Sequence, residues 1–474
     1  MPAFRTLAEV QAALRSGALT LESLVASYLE RIEATRHLNI YVEVFGQEAL
    51  EQARNQDAAM RSGAAPAGRL WGMVLAIKDV ICYKDHEVTA GSNILRGFRS
   101  LFSATAVERL LAEGAIIIGR VNCDEFAMGS SNENSCYGPT RNAADPERVP
   151  GGSSGASAVA VQAGTCLAAL GSDTGGSVRQ PAAFCGVTGF KPSYGRISRH
   201  GLIAYGSSLD QIGTLAHSIE DTALLLEIMA GPDAYDSTAS PEPVPVYSRL
   251  AAPDRPMRVA YFRTALEHPH LDEGIRALTL RFADQIRQAG HSVEAIDFEY
   301  LDYIIPAYYV LATAEASSNL SRYDGVRFGY RSSAAHDLES TYKRSRTEGF
   351  GAEVKRRIML GTFVLSSGYY DAYYTKAQQV RRLIHDRTKE VFQQYDFILM
   401  PAAPTTAWRL GEKISDPVAM YLADVFTVQA NLAGIPAIAL PIGKHPEDGM
   451  PVGVQLMADA FEEEALLGFA HSLL

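Results

Sequence analysis

The run Gly171-Ser-Asp-Thr-Gly-Gly-Ser177-Val-Arg-Gln-Pro181 decides how this chain is read. It follows the serine/glycine block Gly151-Gly-Ser153-Ser154-Gly-Ala-Ser157, and far upstream a single lysine, Lys78, closes the apolar stretch Val74-Leu-Ala-Ile77. Nine glycines fall between Gly151 and Gly189, interleaved with serines and punctuated by apolar segments. A flexible Gly/Ser linker carries no such punctuation. These glycines therefore belong inside a fold, where glycine costs entropy unless the backbone needs an unusual dihedral or a close approach. They mark functional turns.

The segments around these turns set the fold class. Val74–Ile77 is short and continuously apolar, the pattern of a strand covered on both faces. Thr105-x-x-Glu108 opens a helix, Gly114 ends it, and Ala115-Ile-Ile-Ile118 follows as a strand, a helix-to-strand unit of an α/β fold. Ser157–Ala163 reads as a helix broken by Gly164, with Cys166–Leu170 strand-like after it. Further strands are expected at Met257–Tyr261, Phe397–Met400, Ala437–Leu440 and Val452–Leu456, and long helices between about 270 and 395. Residues 1–69 read as helical: Thr6-x-x-Glu9 is a capping box, Ser16-Gly17 stops that helix, and Leu21, Leu24, Val25, Tyr28, Leu29 and Ile32 make one apolar face after Thr20. Arg61–Gly68 is a loop, and Gly231–Pro256 an ordered surface connection. With no internal repeat or low-complexity linker, residues 1–474 are expected to form a single α/β domain with a core at about 70–220.

Composition narrows the function. The net charge is −11 and no basic tail or run occurs, which argues against a nucleic-acid surface. The start, Met1–Glu9, has no apolar signal core, and no stretch approaches the roughly 18 apolar residues that span a bilayer. Five cysteines, an odd number without a Cys-x-x-Cys pair, point away from a disulfide framework or zinc and towards a reducing cytoplasm.

Gly151-Gly-Ser153-Ser154-Gly155 formally matches the G-x-S-x-G nucleophile elbow, but that elbow follows a strand directly, and Asn142–Pro150 reads as loop. Thr174-Gly175-Gly176-Ser177 differs: small residues let successive backbone N–H groups converge into an oxyanion hole beside the Ser177 hydroxyl. A serine nucleophile needs a base. None of the eleven histidines lies in these blocks, His200 and His217 being nearest. Lys78 is the better candidate, because desolvation lowers a lysine's pKa and leaves a neutral amine able to accept a proton. A lysine ending a strand is commonly a surface residue, and Asp79 would simply pair with a neighbouring charge; only the company of the serines reverses that preference.

Lys78, the Ser153 block and the Ser177 run resemble the amidase signature family, as does the continuation Phe184-Cys-Gly-Val-Thr-Gly-Phe-Lys-Pro-Ser-Tyr-Gly-Arg-Ile-Ser198. The resemblance implies the family's α/β fold, a large mixed central sheet covered by helices on both faces. It also implies a Ser-(cis-Ser)-Lys triad, with Ser177 as nucleophile, Ser153 as relay at a cis peptide and Lys78 as base. The chain departs from the family pattern at Ala156 and at Asn142-Ala143, neither of which bears a catalytic atom.

Distal segments resemble one branch of that family, the glutaminase subunits of tRNA-dependent amidotransferases: Ala307-Tyr308-Tyr309, Ala314–Gly325, Val354–Phe363, Ser366–Tyr374 and Asp424–Pro436. This likeness implies hydrolysis of glutamine through a glutamyl-Ser177 intermediate. Arg357 would fork onto the substrate α-carboxylate, Asp424 would pair its ammonium, a tyrosine of Tyr308–Tyr309 would add a hydroxyl, and Ser130 would lie near the scissile amide. It implies no metal or cofactor in this chain. ATP and Mg would be used at a partner, a tRNA-binding transamidase/kinase B subunit joined by a small C subunit in a heterotrimer, and tRNA would be met only through that partner. The absence of a Gly-x-x-x-x-Gly-Lys-Ser/Thr motif is consistent with this. A free-standing amidase for another small amide, or a scaffolding protein that keeps the fold, are the alternatives.

Overall fold

Eleven strands join in one sheet in the computed structural model, which describes residues 4–63, 65–66, 68–413 and 417–474. Met1, Pro2 and Ala3 of the chain start, and Ala64 and Ala67 of the Arg61–Gly68 loop, lie outside the described residues. In chain order the strands are β1 (Tyr41–Val44), β2 (Val74–Lys78), β3 (Ile116–Val121), β4 (Ala168–Asp173), β5 (Thr188–Lys191), β6 (Gln211–Ala216), β7 (Arg258–Phe262), β8 (Ser292–Ile296), β9 (Phe397–Pro401), β10 (Ala437–Lys444) and β11 (Pro451–Met457). Across the sheet they run β1-β3-β2-β4-β6-β5-β10-β11-β9-β7-β8. The pairs β3/β2/β4 and β9/β7/β8 are parallel and the rest antiparallel, so the sheet is mixed.

Every residue of β2, β3, β4, β6 and β9 is buried, which requires helices over both faces. Helices Gly155–Gln162 and Arg179–Cys185 pack against the middle of the sheet, Ile219–Met229 against β6, and Glu273–Gln288 against β8 to β11. The seven strands expected from apolar runs all form, within a few residues of their expected ends. Thr6 makes both halves of its capping box, and Thr20 caps the next helix, Leu21–Ala34, over the buried Leu21, Leu24, Val25 and Tyr28.

Thr105 opens its helix as expected, behind Ala104 as N-cap, and its hydroxyl donates to Asp233 Oδ2 at 2.5 Å. Two expectations need correction. The segment 1–69 is not wholly helical, since β1 pairs there with β3. The region 270–395 holds a strand as well as helices, because β8 extends the sheet beside β7. Four strands, β1, β5, β6 and β8, had no apolar run to announce them. β6 carries Gln211, Gly213 and Thr214 yet lies between β4 and β5. A Cβ on Gly213 would sit 2.4 Å from the Phe190 carbonyl oxygen, so this strand needs a glycine for close approach rather than a bulky residue for burial.

Candidate active site

β2 ends on Lys78 and β4 on Asp173, and the two are parallel neighbours with Ile77 opposite Leu170. Both segments therefore leave the sheet at its carboxyl edge, the place where α/β sheets form ligand crevices. Helix Gly155–Gln162 follows Ser153 and Ser154, and helix Arg179–Cys185 follows Ser177, so both serine turns are strapped to the same end of the sheet.

Lys78 is fully buried, and its Nζ donates to Ser153 Oγ at 2.7 Å, Ser172 Oγ at 2.9 Å and Ser154 Oγ at 3.0 Å. Burial pushes this ammonium down to about 8, although the nearby Asp124, Asp173 and Asp210 carboxylates oppose the shift. Ser153 follows a cis Gly152–Ser153 peptide. Gln180 holds that turn in place: Gly152 N–H donates to its Oε1 at 2.9 Å, and its Nε2 donates to the Ser130 carbonyl at 3.0 Å. The Ser154 N–H donates to the Ser177 carbonyl at 3.0 Å, which joins the Ser153 turn to the Ser177 turn. His200 and His217 play no part here: His200 stacks between Phe102 and Tyr235, and His217 bonds the Val161 carbonyl.

The Ser177 turn is anchored by a buried ion pair. Arg179 donates to Asp173 through Nε and Nη2, both at 3.0 Å, and also reaches the Thr427 carbonyl, Gln455 Oε1 and Asn431 Oδ1. Burial alone would raise Asp173, but the Arg179 guanidinium outweighs it and holds the carboxyl at about 2. The same carboxylate accepts the N–H of Gly176 at 2.8 Å and of Val178 at 3.1 Å. The Gly176 N–H is committed to Asp173, which leaves the N–H groups of Thr174 and Gly175 without a protein acceptor among the described residues. Both glycines are required by crowding. A Cβ on Gly175 would lie 2.6 Å from the Tyr308 hydroxyl oxygen, and one on Gly176, at φ +133°, would lie 2.0 Å from Thr427 Oγ1.

The distal residues gather around this centre. Helix Leu301–Asn319 carries Tyr308 and Tyr309, and helix Ala352–Val364 carries Arg357; the two cross closely where Gly361 meets the Thr313 carbonyl. Tyr308 lies against Gly175. Tyr309 instead belongs to a cage of rings around the buried Arg357, whose guanidinium carbon is 5.5 Å from the Tyr309 centroid, 5.7 Å from Tyr205 and 5.4 Å from Tyr421. Arg357 also donates to Tyr205 Oη and to Glu353 Oε1, each at 2.8 Å. Asp424 is buried; its Oδ2 accepts from Ser130 Oγ at 2.6 Å, while its Oδ1 has no partner among the described residues. Burial raises this carboxyl to about 7, against the pull of the Ser130 hydroxyl and of Arg357. A cavity of about 300 Å³ opens beside Arg357, lined by Gly129, Ser131, Glu353, Arg356 and Tyr421 among others. Among the described residues, no cluster of three or more His, Cys, Asp or Glu could hold a metal ion, and no helix is long and apolar enough to cross a membrane.

The fold thus brings Lys78, Ser153, Thr174, Gly175, Gly176 and Ser177 together, and sets Ser130, Tyr308, Tyr309, Arg357 and Asp424 around them. Sequence reasoning missed Tyr205, Tyr421, Glu353, Gln180, Arg179 and Thr427, and gave Asp173 only as the cap of a tight turn, a contact it does make with the Gly176 and Val178 N–H groups. Asp173 and Arg179 stand inside the quoted run and Thr427 three residues after Asp424, but nothing local says that they meet. Glu353 alone left a local trace, four residues before Arg357, the spacing of a helical ion pair.

The Amidase family model matches residues 23–467. The A subunit of glutamyl-tRNA(Gln) amidotransferase from Chlorobium luteolum is 50% identical over 481 residues, covering 99% of this chain and 97% of the relative. Among solved structures, the A subunit of glutamyl-tRNA(Gln) amidotransferase from Thermotoga maritima superposes with a TM-score of 0.76 at 39% identity, covering 95% of this chain and 93% of that one. A peptide amidase from Stenotrophomonas maltophilia does so with a TM-score of 0.82 at 30% identity, over 98% and 96%.

Proposed function

This chain belongs to the amidase family, and from that premise we propose that it is the glutamine-hydrolysing component of a tRNA-dependent amidotransferase. Residues 1–474 would act as one amidase domain. The observation that carries the substrate reading is Asp424, a buried carboxylate with one oxygen on Ser130 and the other unpartnered among the described residues, within electrostatic reach of a buried arginine. A buried charge left half-satisfied is costly unless a ligand completes it. An amino acid brings an ammonium for Asp424 and a carboxylate for Arg357.

In the proposed reaction neutral Lys78 withdraws the Ser153 proton while Ser153 withdraws that of Ser177, whose Oγ attacks the side-chain carboxamide carbon of glutamine. The N–H groups of Thr174 and Gly175 receive the oxyanion. Collapse of the tetrahedral intermediate breaks the C–N bond, the proton returns through Ser153 to the leaving nitrogen, and ammonia departs. Water then attacks the glutamyl ester by the same relay and releases glutamate and Ser177. The ammonia would amidate Glu-tRNA(Gln), Asp-tRNA(Asn) or both at a companion B subunit that binds tRNA and uses ATP and Mg, with a small C subunit completing the heterotrimer in the cytoplasm. The support for this assembly is the full-length likeness to amidotransferase A subunits.

The test is a panel of glutamine, asparagine and simple primary amides. Glutamine should be strongly preferred, and adding the companion chains with ATP and misacylated tRNA should raise its turnover severalfold or more. Equal turnover of simple amides, unchanged by partners, would return the chain to the free-standing amidases.

Arg357→Leu and Asp424→Asn are expected to act as specificity variants. Either leaves one charge of bound glutamine unpaired, a loss of about 2–5 kcal/mol in kcat/KM. Amides without the amino-acid head should lose far less. Steady-state kinetics on both substrate types decide it, and equal losses would make these residues structural.

A further inference from the structure

The Ser177 turn has to keep its backbone donors aimed while nothing occupies the site. Its key element is the peptide unit between Gly175 and Gly176, built from two residues with no side chain to hold them. Both ends of that unit are nevertheless bonded. The Gly176 N–H donates to Asp173 Oδ1 at 2.8 Å, and the Gly175 carbonyl accepts from Thr427 Oγ1 at 2.7 Å. With both polar ends fixed the peptide plane cannot rotate, so the Gly175 N–H on its N-terminal side and Ser177 on its C-terminal side are held in one relation.

We propose that Thr427 is a positioning residue of the reaction: its hydroxyl, together with the Asp173 carboxylate, clamps the Gly175–Gly176 peptide that carries the nucleophile turn. Thr427 is fully buried and itself fixed. Its N–H donates to the Asp424 carbonyl at 3.0 Å, and its carbonyl accepts from Arg179 Nη1 at 2.8 Å, the same guanidinium that forks onto Asp173. The two jaws of the clamp are therefore tied to each other through Arg179. Packing repeats the hydrogen-bond argument, because Gly176 lies so close that a Cβ there would fall 2.6 Å from Thr427 Cβ. Thr427 touches the turn and not the reacting atoms, so its contribution is one of orientation.

The proposal rests on the amide-hydrolase reading of the site, not on glutamine as the substrate, and the experiment keeps the two apart. T427V preserves the shape and removes the hydroxyl, leaving the Gly175 carbonyl without its donor. On the full chain, T427V should lower kcat by about tenfold or more for glutamine and for a simple primary amide alike, with KM within about twofold, because the clamp acts on the nucleophile turn and not on the amino-acid head. T427S, which keeps the hydroxyl, should recover most of that turnover. Wild-type kcat in T427V, a loss confined to KM or to glutamine, or a T427S as slow as T427V would overturn the proposal. Thermal melting checks folding, and if T427V does not fold, T427S against T427A isolates the same hydroxyl: equal kcat in that pair also overturns it. If wild type cleaves only the simple amide, the glutamine reading fails while the clamp is still tested.

Discussion

Ser177→Ala is expected to lower glutamine hydrolysis by about 10⁴-fold or more with the fold intact, since it removes one hydroxyl from a turn held by other atoms. Lys78→Ala should fall to a similar level, and the double variant little further, because groups acting as one relay are strongly non-additive. The pH profile separates this relay from a structural lysine. Burial lowers Lys78 to about 8, and only the neutral amine accepts a proton. Wild-type kcat/KM should therefore rise with pH through about 8 and level off above it, a limb that Lys78→Ala lacks. Mass spectrometry of acid-quenched enzyme should place a glutamyl adduct on Ser177. An adduct elsewhere, or near-normal turnover by Lys78→Ala at neutral pH, would sink the triad.

Arg179→Leu is expected to be the most damaging structural change near the site. It strips the buried Asp173 carboxylate of its ion-pair partner and leaves only the charge of Lys191 nearby, a type of loss that costs about 3–5 kcal/mol. It also frees the Thr427 carbonyl and Asn431, so turnover should vanish with stability. The sign with pH is distinctive. In the wild type Asp173 is held at about 2, below the usual carboxylate range, so its pairing contributes stability above about pH 4 that is lost as pH falls through 2. In Arg179→Leu, burial is opposed only by Lys191 and by the hydrogen bonds from Gly176, Val178 and Asn431, so the Asp173 carboxyl rises from its wild-type position and protonation relieves the variant: its melting deficit against wild type should narrow as pH falls from 7 to 5. A deficit independent of pH would mean that the guanidinium matters for packing rather than charge.

Sequence alone settled what is written in local pattern. The cap at Thr6, the apolar face after Thr20, the seven apolar strands and the glycine-rich serine turns were legible because helix, strand and turn preferences depend on neighbours a few residues away. The candidate chemical groups Lys78, Ser153 and Ser177 were legible for the same reason, each standing in a short and unusual context. What tertiary structure decided is which of these groups meet, and which donors remain free. β6 is a strand because β4 and β5 flank it, although its residues would not choose that state alone. The Gly176 N–H is bonded to a carboxylate three residues away whose own direction is set by Arg179, Asn431 and the sheet behind them. Arg357 is caged by rings 152, 48 and 64 positions distant in the chain (Tyr205, Tyr309 and Tyr421), and Thr427 reaches Gly175 across 252. Such contacts depend on how distant segments pack in three dimensions, and no periodicity or spacing within a segment encodes them.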